Sequence, residues 1–168
     1  MRKAIVIVAG LIVLALVDYV VVQRERLLEE GRVVLLELAP VDPRSLLQGD
    51  YMALEFRAAV DAREPLAKLE ASDGRLVLAI DDRHVGTFVR LDDGKPLSDR
   101  EVGMRYRVRD DRVRLVTNAW FFEEGQQDAF AKARYGEFRV APNGEALLAG
   151  MRDEVLQPIM HLEKRLPP

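Results

Sequence analysis

Residues 4–22, Ala-Ile-Val-Ile-Val-Ala-Gly-Leu-Ile-Val-Leu-Ala-Leu-Val-Asp-Tyr-Val-Val-Val, form a 19-residue apolar stretch with one ionisable side chain, Asp18. A helix of about 20 apolar residues matches the hydrocarbon thickness of a bilayer. No strand of ordinary length accounts for such a run. It has no polar face through Val17, which argues against an amphipathic helix of a soluble protein. The sequence therefore predicts that the lipid bilayer is the partner of residues 4–22.

Arg2 and Lys3 precede the span, and Arg24 and Arg26 follow it among Glu25, Glu29 and Glu30. Basic residues balance at two on each side, and the amino terminus tips the count inward. An apolar run starting directly behind a basic pair is also how a secretory signal begins. These features predict a single pass with the N-terminus in the cytoplasm and the remainder outside. Ala15-Leu16-Val17 is a poor small-x-small cleavage site, so the segment reads as a retained signal anchor rather than a cleaved peptide. Asp18 lies about one turn from the outer end beside Tyr19, where it can reach headgroups and water. It is also a candidate intramembrane contact, because carboxylates inside spans often mark partner contacts or ion paths.

Gln23-Arg-Glu-Arg-Leu-Leu-Glu-Glu30 consists of strong helix formers and extends the anchor as a stalk. Gly31 is a natural stop. The expected division is thus 1–31, anchor and stalk, and 32–168, one extracytoplasmic domain. At 168 residues a second independent core has no room. Net charge is −3 overall and −4 beyond residue 23, so nucleic acid is not an expected partner. The absence of cysteine excludes disulfides, thiol catalysis and thiolate metal sites.

Beyond Gly31 the pattern is that of strands. Val33–Leu38 is a short apolar run of the kind found well inside a sheet. Tyr51–Arg57 alternates, with Met52, Leu54 and Phe56 on one face. Further strands are expected at 75–80, 87–91, 136–140 and 145–148, with Pro142-Asn143-Gly144 as a tight turn. Residues 126–133 read as one or two helical turns, and the tail from Asp153 as the start of a helix limited by Pro158. The clearest hairpin runs from Met104 to Val116 around Asp110-Asp111. Asn118-Ala-Trp-Phe-Phe122 should prolong its second strand and place Trp120 in the core. About eight strands and little helix predict an α+β, β-dominated chain: a transmembrane helix followed by one small barrel- or sandwich-like domain.

A two-residue turn at Asp110-Asp111 would set Arg109 opposite Arg112 and Arg107 opposite Arg114. Arg105, Arg107, Arg109, Arg112 and Arg114 would then share one face, where like charges disfavour one another. Acidic residues of the same domain can relieve this, and so can anionic headgroups, an acidic partner surface or an anionic ligand.

Asp42-Pro-Arg-Ser-Leu-Leu-Gln-Gly-Asp-Tyr-Met-Ala-Leu-Glu-Phe56 has an N-cap, a proline for the first helical position and a glycine for a left-handed exit, predicting a helical turn that feeds a strand. This stretch resembles the GDYXXLXY family of bacterial membrane proteins: Gly49, Asp50, Tyr51 and Leu54 match, and Phe56 stands where Tyr is usual. Trp120-Phe-Phe-Glu-Glu-Gly125 is similar to the family's later aromatic and acidic segment. The resemblance implies the cytoplasmic membrane of a bacterium, with the domain in the periplasm or outside, and carries no activity. A structural corner accounts for the motif. A ligand site around Asp50 and Tyr51, with Glu123 and Glu124, is the alternative.

Pro-x-x-Leu-Leu-x-Gly-Asp is also similar to the box of type I signal peptidases, whose serine stands three residues before the proline. Pro40 occupies that position here, the gap to Gly-Asp is one residue longer, and Ser45 lies on the wrong side. His84 and His161 are too far apart for a zinc motif, and no cofactor is implied. The expected function is a non-enzymatic accessory or scaffolding subunit that binds another membrane protein. An envelope sensor or hydrolase at the Gly49-Asp50-Tyr51 corner is the alternative.

Overall fold

The computed structural model describes residues 2–39, 47–48, 51–117, 119–123 and 125–159. Helix α1, Arg2–Glu30, contains the apolar stretch and is the one helix among the described residues long and apolar enough to cross a membrane. Its side chains from Ile7 to Arg26 are all exposed, as a lipid-facing helix requires. Leu27, directly after this stretch, is buried.

Gly31 follows directly, its N–H donating to the Leu27 carbonyl at 3.0 Å. A Cβ at this position would collide with that same carbonyl and approach the Arg139 Cβ to 2.9 Å. Glycine is therefore what lets the helix end tightly against the domain. Strand β1, Arg32–Glu37, starts at the next residue.

β1 pairs antiparallel with β9, Tyr135–Val140, and β9 with β10, Ala146–Arg152, giving the order β1-β9-β10. A four-stranded sheet has the order β5-β4-β6-β7, formed by β4 (Asp73–Ile80), β5 (Gly86–Leu91), β6 (Glu101–Arg109) and β7 (Arg112–Arg114). A short third sheet, β2-β3-β8, comprises Leu47–Gln48, Tyr51–Ala53 and Ala119–Phe121.

The first two sheets join at the loop before β5. The Leu35 N–H donates to the His84 carbonyl at 2.8 Å, and Leu35 forms a parallel bridge with Val85. Asp81 shapes this loop: its Oδ1 accepts the N–H groups of Arg83 and Val85, each at 2.8 Å. The Val85 bond favours the ionised form most, and the Asp81 carboxyl is accordingly held below its usual pKa. At the other side the Arg105 N–H donates to the Gly144 carbonyl at 2.8 Å, which rests the β9–β10 turn on β6. The sheets thus curl around one core, with Val34, Leu36, Leu76, Leu78, Met104 and Phe138 fully buried.

The β-dominated, helix-anchored architecture agrees with the sequence reading. Several elements differ from it. Among the described residues β1 lies at the end of its ladder, and its outer edge meets the loop before β5 through the Val85 bridge. The Tyr51 strand stops at Ala53. Phe56 then bridges Leu38, and two short helices follow, α2 (Arg57–Asp61) and α3 (Arg63–Leu69).

The chain does not continue straight from β7 into the tryptophan segment. Leu115 and Val116 bend away, and β8 pairs instead with β3. Trp120 is half-buried against the core, its ring 6.1 Å from Phe130 of helix α4, Gln127–Phe130. Leu47 and Gln48 are strand rather than the end of a helical turn, because they pair with Met52 and Tyr51. The tail does not begin as a helix either. Asp153 Oδ1 accepts the N–H groups of Val155 and Gln157, and the Ile159 N–H returns to the Met151 carbonyl, so the segment folds back on β10.

Candidate functional site

The β6–β7 hairpin is built as its alternation requires. Arg107 faces Arg114 and Arg109 faces Arg112 across the ladder. Asp110 and Asp111 both have left-handed backbone, with φ of 51° and 56°. That pair of conformations suits a two-residue turn matching the strand twist, and Asp tolerates it better than most residues. Met104 and Tyr106 point into the core, so Arg105, Arg107 and Arg109 are left on the outer side.

On the other edge of β6, Arg75 of β4 stands opposite Arg105, and Asp73 opposite Arg107. The result is a groove of about 880 Å³ lined by Arg75, Arg105, Arg107, Arg109 and Arg114, and closed at one end by Asn143 of the β9–β10 turn. Arg112, opposite Arg109 in the ladder, does not line this groove; it lines a second cleft with Arg63, Asp110 and Asp111.

Part of the groove's charge is neutralised by the domain itself. Arg75 pairs with Asp92 at 2.5 Å, Arg105 with Glu145 at 3.4 Å and Arg114 with Asp110 at 3.4 Å. The Arg105 Nε also donates to the Asn143 carbonyl at 3.2 Å. Arg107, Arg109 and Arg112 have no carboxylate within ion-pair distance among the described residues, and the enclosed Arg114 Nε has no hydrogen-bond partner there. Asp73 is the acidic residue among those lining the groove. Burial, and secondarily the Asp73 charge, raises the pKa of the Tyr106 phenol, which therefore stays neutral at physiological pH. The arrangement suits binding of an anion with several oxygen acceptors, because guanidinium groups give paired, charge-assisted hydrogen bonds.

Among the described residues, the other candidates do not line this groove. Leu54 and Phe56 are buried in the core, with the Phe56 ring 5.1 Å from that of Phe138 in an edge-to-face contact. Tyr51 pairs through its backbone with Gln48 and Phe121. Gly49, Asp50, Glu124, Ser45 and His161 lie outside the described residues, and Glu123 is exposed. His84 is exposed and serves the sheet junction through its carbonyl. Asp18 is exposed on α1. Among the described residues no group of three acidic or histidine side chains could hold a metal ion.

Arg75 and Asn143 escaped the sequence reading. Each reaches the groove through a long-range pairing, Arg75 across β4–β6 and Asn143 through the turn resting on β6. Arg75 precedes the buried run Leu76, Val77 and Leu78 without a clean alternation, and local pattern does not reveal which strand lies beside it.

Comparison with curated proteins finds no match, and neither does comparison with solved structures. A family model described as GDYXXLXY protein matches residues 13–151, from within the apolar helix to β10. That match takes in the Gly49-Asp50-Tyr51-Leu54 signature, the arginine hairpin and the aromatic segment around Trp120, and the chain accordingly belongs to the GDYXXLXY family.

Proposed function

We propose that this chain is a single-pass accessory subunit of a bacterial cytoplasmic membrane, with its N-terminus inside, whose helix and extracytoplasmic domain together bind another membrane protein without catalysing a reaction. The observation that carries this reading is the absence of slack between anchor and domain. Only Gly31 separates α1 from β1, and Leu27 is already buried against the domain. A tethered enzyme needs no such coupling. A subunit that meets one partner both in the bilayer and outside it gains from having the two surfaces fixed relative to each other, since less freedom is lost on binding. Asp18, exposed near the outer end of the helix, supplies a polar contact of the kind that associates spans.

Photo-crosslinkers placed at Leu14 and at Phe121 in the full-length chain should trap the same membrane protein. A flexible Gly-Ser insert of eight residues after Glu30 should then reduce crosslinking at one position or both, by roughly tenfold for a loss of about 1.4 kcal/mol. Different proteins at the two positions, or full retention with the insert, would refute the coupled-subunit reading. Orientation is checked separately by labelling single cysteines in intact cells with an impermeant reagent. Ser72→Cys should react and Lys3→Cys should not, and the opposite result reverses the topology.

A further inference from the structure

The β9–β10 turn touches two clefts. On one side it closes the arginine groove at Asn143. On the other, Pro142, Asn143 and Glu145 line a cleft of about 520 Å³ against α1, whose wall is Val20, Gln23, Arg24 and Leu27. Val20 belongs to the apolar stretch, and Gln23 and Arg24 begin the stalk. The near end of the groove is therefore level with the outer end of the span and the eight-residue stalk, a helical length of about 12 Å. Headgroups occupy a layer of roughly 5–8 Å on each side of the hydrocarbon core.

We infer that the groove formed by Arg105, Arg107, Arg109 and Arg114 binds the phosphate groups of anionic lipids in the same membrane that α1 crosses. Among the described residues Arg107 and Arg109 have no carboxylate within ion-pair distance, although Asp73 stands opposite Arg107 on β4. Alternate residues on a strand point to the same side about 6.6–6.8 Å apart. Arg114 lies across the ladder from Arg107, with an enclosed Nε that has no hydrogen-bond partner among the described residues. A phosphate between them would relieve the repulsion and accept paired guanidinium bonds. Leu115 and Val116 add an apolar wall, which favours a lipid over free phosphate. Because the domain is acidic overall, attraction to the bilayer must come from this local face rather than from net charge. The inference shares the membrane span with the proposed function and does not require a protein partner.

The test uses the full-length chain in nanodiscs. The protein lacks cysteine, so a fluorophore can be placed uniquely at Ser72→Cys, an exposed position beside Asp73. Quenching by a headgroup-borne quencher should increase when phosphatidylglycerol is mixed into phosphatidylcholine, and added salt should reverse the increase. Each unpaired arginine is expected to contribute about fivefold to the apparent affinity for the anionic surface. Arg107→Glu with Arg109→Glu should therefore abolish the increase while the melting temperature stays near wild type, since both side chains are exposed and unpaired. The charge-matched control Lys68→Glu with Arg83→Glu should keep it.

Equal quenching in the two lipid mixtures overturns the proposal, as does an unaltered increase in the Arg107/Arg109 variant. Reversal by inorganic phosphate at unchanged ionic strength would identify a soluble anion as the ligand and overturn the lipid assignment.

Discussion

Phe138→Ala is expected to lower folding stability by about 3–5 kcal/mol, a large share of what a domain of this size possesses. Phe138 is fully buried in β9, between Val34 of β1 and Leu148 of β10. Its ring meets Phe56 at a centroid distance of 5.1 Å and an interplanar angle of 73°. Truncation would remove that contact and leave a void walled by all three strands of the sheet that receives α1. Urea denaturation of the detergent-solubilised chain, followed by tryptophan fluorescence, measures the loss. A change below about 1 kcal/mol would mean that the site collapses freely and that β9 is not the centre of the core.

The second large effect is the opposite error of volume at the same place. Gly136 lies two residues before Phe138 in β9, and a Cβ there would come within 2.8 Å of Phe56 Cε1 and 3.1 Å of both Leu148 Cδ1 and Phe138 Cε2. The Phe56 ring cannot yield, because it is itself buried edge-on against Phe138. Gly136→Val should therefore destabilise by about 1–3 kcal/mol through overpacking, despite the better strand propensity of valine. Gly150→Ala in β10 is the control, since nothing stands within 4 Å of its Cβ and the change should stay within about 0.5 kcal/mol. If the two variants melt alike, the close approach at Gly136 is wrong.

The pair also shows what the family signature supports. Phe56, in the motif's last position, occupies the space beside Gly136 and against Phe138, while Leu54 is buried nearby. These two signature residues belong to the packing of the domain and not to the groove.

Features specified by local chemistry were legible in the sequence. The long N-terminal helix is one, because 19 nearly uninterrupted apolar residues suit a helix of membrane-crossing length and no ordinary strand. The β6–β7 register is another: a two-residue turn leaves only one pairing, and Arg107 does face Arg114. The helices α2 and α3 were missed although a signal exists. Ala58, Ala59, Ala62 and Leu66 recur at helical spacing and are all buried, but Pro65 and the preceding strand-like alternation obscure them. The exit of the chain at Leu115 was not legible, because β8 is drawn away by pairing with β3, more than sixty residues earlier in the chain. Nor could the sequence show that Asp92, Glu145 and Asp110 would neutralise three of the groove's arginines and leave Arg107 and Arg109 open. The Arg75–Asp92 and Arg105–Glu145 pairs depend on separate strands and turns meeting, which local propensity does not encode, whereas Asp110 stands only four residues before Arg114.

The direct passage from α1 through Gly31 into β1 gives the stalk a phase. Each residue of an α-helix turns the axis by about 100° and advances it by about 1.5 Å. One residue inserted between Gln23 and Arg26 would swing the arginine groove by roughly a quarter of a circle relative to the apolar stretch of the helix. Seven would return it almost to its starting azimuth, about 10 Å higher. In this protein the length of the stalk modulo one helical turn therefore decides which way the groove faces relative to the apolar stretch, and the length itself decides how far it stands from that stretch.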